Sequence, residues 1–235
     1  MIARDRAQSA PIGVAILLAV TVVSMSALTV TIGSVVEEGA SEAEARGAAA
    51  SMDAALDAER YGPHERTLTL HEGRLRTVDR SVRVLVGERI AFERAVGGLV
   101  FTAGDRRVRY VGGATVRGTG TGAAFHAPPS LSVRNGTLFL DVSTLDAPAV
   151  AVAGPGTVTL RTNVTHDRRH LTGGGYAVAV ETRTPAVWER WFADMGATTT
   201  RRSLDGDDVP SVVARFPDLR EVYVFVHDLH LEVGR

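Results

Sequence analysis

The segment Gln8–Val36, QSAPIGVAILLAVTVVSMSALTVTIGSVV, carries no charged residue and is almost wholly apolar from Ile12 onward. As a helix it would be about 43 Å long at 1.5 Å per residue, and a bilayer core needs about 20 apolar helical residues. No face of such a helix is polar, so lipid or similar helices must cover it. The segment therefore predicts a long hydrophobic helix for a membrane or a filament core. The residues expected to contact lipid or neighbouring helices are Ile12, Gly13, Leu17, Leu18, Val22, Leu28 and Ile32.

The composition around this segment excludes several function classes. The 235 residues leave room for about one further domain of ordinary size. A net charge of −1 does not favour a nucleic-acid partner, which needs a basic field. The absence of cysteine excludes disulfides and thiolate metal sites.

The charges beside the apolar segment predict its orientation. Arg4 and Arg6 precede it, and arginines that flank a spanning helix stay on the cytoplasmic side. Residues after about 37 are therefore expected outside the cell membrane. An ordinary secretory signal has an apolar region of only about 7–15 residues, so this segment is too long for one.

The residues Arg6-Ala7-Gln8-Ser9-Ala10-Pro11-Ile12-Gly13 and the apolar run after them resemble the class III signal of archaeal type IV pilins and archaellins. That resemblance implies that a prepilin peptidase cuts between Ala7 and Gln8, and that the freed helix assembles with other pilin-like subunits. The fifth residue after the cut is Ile12 rather than glutamate, which disfavours a bacterial pilin. The remaining alternative is an uncleaved signal anchor, whose arginines are set by topology alone.

The alanine- and glutamate-rich stretch 37–60 is expected to continue the helix until Tyr61-Gly62-Pro63. It carries a stripe of small residues: Ala43, Gly47, Ala50, Ala54 and Ala58. Small residues let helices approach closely, so the stripe fits a filament core and equally a helix that covers its own β domain. This gives a leader at residues 1–7, a helix at 8–62 and an extracellular β-rich domain at 63–235.

From Arg66 the apolar residues alternate with period two, which predicts many short strands. Asn135-Gly136 between two such runs predicts a type I′ hairpin. The Gly/Thr-rich stretch 112–124 is expected to be a loop, and residues 184–196 a short helix docked on a sheet. The predicted class is α+β: a long N-terminal hydrophobic helix, then a mainly antiparallel β domain, sandwich or barrel-like, with one docked helix.

No catalytic, cofactor or metal site is predicted, because HExxH, P-loop and GxSxG motifs are absent. Four histidines could in principle bind zinc but are expected to be solvated: His166, His170, His227 and His230. The acidic run 205–208 lacks the register of a calcium loop. Asn135 and Asn163 both head glycosylation sequons.

These patterns predict a non-enzymatic, pilin-like cell-surface subunit that contributes to adhesion or to a surface structure. The alternative is a single-pass anchored surface protein whose β domain binds glycan or protein.

Overall fold

The computed structural model describes residues 9–59 and 61–234, with the side chains of residues 9–12 and 27–35 left out. The expected cleavage site at Arg6, Ala7 and Gln8 lies outside these residues, as do the side chains of Ile12, Leu28 and Ile32. The chain divides into two compact units, with the boundary between Ser41 and Glu42.

The described elements are two α-helices, one short 3-10 helix and seventeen strands. The helices are α1 (Ser9–Ala55), α2 (Pro185–Asp194) and the 3-10 helix Gly120–Gly122. The strands are β1 (Gly62–Leu70), β2 (Arg74–Val78), β3 (Ser81–Val86), β4 (Arg89–Ala95), β5 (Gly98–Ala103), β6 (Arg106–Val111), β7 (Ala114–Arg117), β8 (Ala124–Ala127), β9 (Leu131–Arg134), β10 (Thr137–Thr144), β11 (Ala151–Ala153), β12 (Gly156–Thr172), β13 (Tyr176–Glu181), β14 (Thr198–Arg202), β15 (Ser211–Arg215), β16 (Glu221–Asp228) and β17 (Glu232–Gly234).

The predicted fold class is wrong. The protein is mainly β, with 50% of its residues in strands, rather than α+β. Among the residues that the structure describes, no helix combines the length and the apolarity that crossing a membrane requires. The expected transmembrane hydrophobic helix is corrected accordingly.

The strands form three sheets. The first has the order β1-β12-β16-β10-β9, with β17 also paired to β12; the second is β11-β2-β5-β6-β7-β8; the third is β14-β15-β13-β3-β4. Neighbours are antiparallel except β10 and β16, which pair in parallel between residues such as Leu138 and Val222. β16 lies between β12, to which it is antiparallel, and β10, to which it is parallel.

The C-terminal part of α1 packs against the β domain. Ala45, Ala48, Ala49 and Met52 are at most 3% exposed and belong to one core cluster with side chains of the first two sheets. Four members of the small-residue stripe, Ala43, Gly47, Ala50 and Ala54, are exposed on the other face. The fifth, Ala58, lies beyond the end of α1 and packs half-buried against the core cluster. The helix therefore covers its own domain with one face and leaves these four residues accessible.

The helix ends at Ala55, earlier than the expected stop at Tyr61-Gly62-Pro63. The Tyr110 hydroxyl donates to the Leu56 carbonyl over 3.2 Å, and the Glu59 N–H donates to Asp57 Oδ1 over 3.0 Å. These bonds satisfy groups at the helix end and turn the chain toward β1.

Two local predictions had opposite outcomes. The hairpin β9–β10 is confirmed: Asn135 and Gly136 have φ values of 51° and 77°, as a type I′ turn requires. The expected loop at 112–124 is wrong, since it contains β7, the 3-10 helix and β8. Its glycines supply tight turns, such as Gly112 and Gly113 between paired Val111 and Ala114, instead of a long loop.

Candidate functional site

The described apolar part of α1 exposes large hydrophobic side chains on every side. Eight of them are between 59 and 70% exposed: Val14, Ile16, Leu17, Leu18, Val20, Val22, Val23 and Met25. Gly13 has open space beside it. A contiguous apolar surface of this size marks a contact site on a protein.

Two hydroxyl groups in this part of α1 are hydrogen-bonded within the helix. Thr21 Oγ1 donates to the Leu17 carbonyl over 2.7 Å, and Ser26 Oγ donates to the Val22 carbonyl over 2.8 Å. A hydroxyl bonded to its own helix needs no water and can be buried at low cost. These two side chains therefore do not oppose burial of the segment.

A second candidate site is a cleft of about 1250 Å³ on the β domain. Arg74 and Arg76 on β2 and Arg107 and Arg109 on β6 line one wall of it, which we call the arginine wall. Strand register places Arg74, Thr102 and Arg107 in one row and Arg76, Val100 and Arg109 in the next.

The arginine wall exists because the sheet has two unlike faces. Side chains of the alternate positions lie in the core beneath it and are at most 2% exposed: Leu75, Leu99, Phe101, Val108 and Tyr110. Successive residues of a strand point to opposite faces, so the sequences Arg74-Leu75-Arg76 and Arg107-Val108-Arg109 place every arginine on the cleft side.

The four guanidinium groups of the arginine wall have no carboxylate ion-pair partner among the residues that the structure describes. Arg109 Nη1 donates to the Gly118 carbonyl over 2.9 Å. Burial, together with the neighbouring charges of Arg107, Arg80 and Arg76, lowers the pKa of Arg109 to about 10. The wall is thus a concentration of uncompensated positive charge.

Carboxylates also line the cleft, and most of them already have partners. Glu181 accepts from Arg80 Nη1 at 3.3 Å and from the Ser81 N–H at 3.0 Å. Burial raises the pKa of Glu181 to about 6, although the charge of Arg80 opposes this. Asp205 accepts from the buried Arg83, and Arg183 Nη2 lies 2.6 Å from Asp208 Oδ1.

Carboxylate oxygens of Glu181, Asp205 and Asp207 lie within 4.8 Å of one another, close enough to share a metal ion. Two of the three are bound by arginines, Glu181 by Arg80 and Asp205 by Arg83. An ion there would have to compete with both guanidinium groups, so this cluster by itself does not make a metal site.

The candidate histidines are brought together only in part. His166 Nδ1 and His227 Nδ1 are 2.7 Å apart, so one nitrogen must donate and the other accept. His230 Nδ1 lies 3.0 Å from Asp146 Oδ2. His170 instead stacks on Tyr223 with ring centroids 4.2 Å apart. The four imidazoles do not converge on one point.

The two sequon asparagines are both exposed, Asn135 in the β9–β10 turn and Asn163 on β12. Their glycosylation stays a prediction from the sequence. The sequence did not predict the arginine wall, although it shows the Arg-x-Arg pairs at 74–76 and 107–109. Their convergence depends on β2 and β6 both pairing with β5, which no local pattern encodes.

Comparison with known proteins places the chain in a family. No curated protein and no solved structure matches it. One family model, described as a family of unknown function (DUF7289), matches residues 6–232, which is nearly the whole chain. The protein therefore belongs to the DUF7289 family.

Proposed function

We propose that this protein is a type IV pilin-like subunit of a surface filament. In this proposal a prepilin peptidase cuts between Ala7 and Gln8, and the apolar part of α1 packs against the same helix of other copies. The observation that carries the proposal is the set of eight apolar side chains of residues 14–25 that are more than half exposed. The sequence before them, with its Arg6-Ala7-Gln8 junction, supplies the resemblance to pilin precursors.

The energetics favour burial of this surface in an assembly. Full burial of a valine, leucine, isoleucine or methionine side chain contributes about 1.5–3 kcal/mol. Even partial burial of eight such side chains supplies on the order of 10 kcal/mol, which is comparable with the roughly 4–15 kcal/mol that association costs in lost motion. Burial of the described segment therefore offsets much of the cost of bringing subunits together.

The exposed stripe of Ala43, Gly47, Ala50 and Ala54 adds to this support. Small side chains let two helix backbones approach closely. Gly39 and Gly47 have nothing within 4 Å of an added Cβ, so a neighbouring helix has room beside them.

The proposal is tested by placing a charge in the contact surface. Leu17→Asp, at a side chain 70% exposed, should abolish recovery of the protein with sheared surface filaments. A buried carboxylate without a partner costs several kcal/mol. Ile90→Asp on β4, 49% exposed, is the matched control and should assemble as the wild type does.

Thermal unfolding of both variants, in a mild detergent, shows that the β domain is intact. Filament recovery of Leu17→Asp at the wild-type level would overturn the proposal.

A further inference from the structure

We propose that the cleft bounded by the arginine wall (Arg74, Arg76, Arg107 and Arg109) binds an acidic oligosaccharide, that is, linked sugar units bearing carboxylate or sulfate groups. This inference does not depend on the filament proposal, because every residue that carries it belongs to the β domain.

The arginine wall carries positive charge that no carboxylate neutralises among the described residues. Elsewhere on the domain, arginines such as Arg94, Arg161 and Arg201 lie within 4.0 Å of a carboxylate. The arginine wall has no such partner in the described part of the chain. Guanidinium groups present a fork of donors that matches the two oxygens of a carboxylate or sulfate. Unpaired arginines gathered in a cleft therefore indicate an anionic ligand.

The four arginines of the wall are spaced along two strands and across the sheet. Residues two apart on one strand, such as Arg74 and Arg76, are separated by about 6.6–6.8 Å. Strands β2 and β6 are separated by β5, so their arginines stand about 9.5 Å apart across the sheet. Such a grid suits separate anionic groups on a chain-like ligand rather than one small anion, which two guanidinium groups would already saturate.

The cleft is also lined by hydroxyl and carboxylate side chains. Hydroxyl-bearing residues line the same cleft, among them Ser81, Thr102 and Thr119. The carboxylates of Asp79 and Asp207 also line it and can accept hydrogen bonds from hydroxyl groups. A ligand that carries both anionic groups and hydroxyl groups therefore fits this lining.

The described lining residues include no aromatic side chain, so nucleobases would find no stacking partner there. The cleft volume of about 1250 Å³ exceeds the roughly 300–1,000 Å³ of an ordinary small-molecule pocket, which leaves space for two or more sugar units. Burial is the main cause of the lowered pKa of Arg109, and repulsion by Arg107, Arg80 and Arg76 adds to it; a bound anion would offset that repulsion.

Calorimetric titration of the full chain in a mild detergent tests the inference. The probes are a galacturonic acid tetrasaccharide, a chondroitin sulfate tetrasaccharide, neutral cellotetraose and inorganic sulfate. We expect at least one of the two acidic tetrasaccharides to bind, and cellotetraose to show no binding. The acidic probe that binds identifies the anionic group.

Charge-removing variants locate the binding. Arg76→Gln/Arg107→Gln should weaken binding of the acidic tetrasaccharide at least tenfold. Arg134→Gln/Arg168→Gln removes the same number of charges from exposed positions outside the cleft and should leave the affinity within twofold of the wild type. Because all four positions are exposed, thermal melts of both double variants should match the wild type.

Three results would overturn the inference: no binding of either acidic tetrasaccharide, equal loss of affinity in the two double variants, or inorganic sulfate binding as tightly as the tetrasaccharides. None of them bears on filament assembly, so failure of this inference is distinguishable from failure of the proposed function.

Discussion

Replacing Met52 by alanine should destabilise the β domain, whereas the same substitution at Met25 should not. Both methionines lie on α1, so the chemical change and the small gain in helix propensity are equal. Met52 is 0% exposed and packs in the core cluster that contains Leu68, Leu75 and Tyr110. Met25 is 67% exposed. The difference between the variants therefore reports the packing of one end of α1 on the sheets.

The magnitude follows from the cavity that the substitution leaves. Truncating a fully buried methionine to alanine costs about 2–5 kcal/mol, depending on how far the site collapses. For a domain of this size each kcal/mol lowers the melting temperature by about 2–4 °C, so Met52→Ala should lower it by about 4–20 °C. Met25→Ala should stay within about 0.5 kcal/mol of the wild type, as exposed substitutions do.

The assay is thermal unfolding of the full chain in a mild detergent, followed by circular dichroism of the strands. A loss below about 1 kcal/mol for Met52→Ala, or equal losses for the two variants, would refute the reasoning. Either result would mean that the end of α1 does not form part of the domain core.

Three further predictions concern single positions. Gly73→Ala should lower the melting temperature, because an added Cβ would lie 2.4 Å from the Phe101 ring; calorimetry measures the loss, and a wild-type melt would contradict the packing. Gly136→Ala should also destabilise, since φ is 77° and the Cβ would lie 2.9 Å from the Asp218 carbonyl oxygen; an unchanged denaturant midpoint would count against the turn geometry. The pKa of Glu181, raised from 4.5 to about 6 by burial, means that the folded state holds this proton more tightly than the unfolded state does. This group therefore stabilises the folded state below about pH 4.5, and that contribution is lost as the pH rises through about 6. Over that range the free energy of unfolding of the wild type should fall relative to that of Glu181→Gln. Profiles of unfolding free energy against pH that run parallel for the two proteins would disprove the prediction.

The parts of the fold that follow from local sequence were predictable. The Asn135-Gly136 turn is one example, because positive φ at two adjacent residues is a property of those residue types. Helix α2 is another: residues 184–196 were expected to dock on a sheet, and Val187, Trp188 and Phe192 of that helix are buried.

The parts that depend on long-range pairing were not predictable. The insertion of β16 beside β10 joins residues 84 positions apart, and no local pattern specifies it. The arginine wall depends in the same way on the shared pairing of β2 and β6 with β5. The glycine and threonine content of residues 112–124 predicted a loop, although the stretch contains β7, whose residues Ala114, Thr115 and Val116 are buried. The predicted class counted the long apolar helix as equal in weight to the strands, whereas the protein is mainly β.

The central claim is that this protein is a processed filament subunit, and the most direct test is the N-terminal mass of the protein recovered with surface filaments sheared from its native cells. The account predicts a mature chain that begins at Gln8 and sediments with the filaments. Recovery of the protein with Met1 still attached, or its absence from the filament fraction, would contradict the claim.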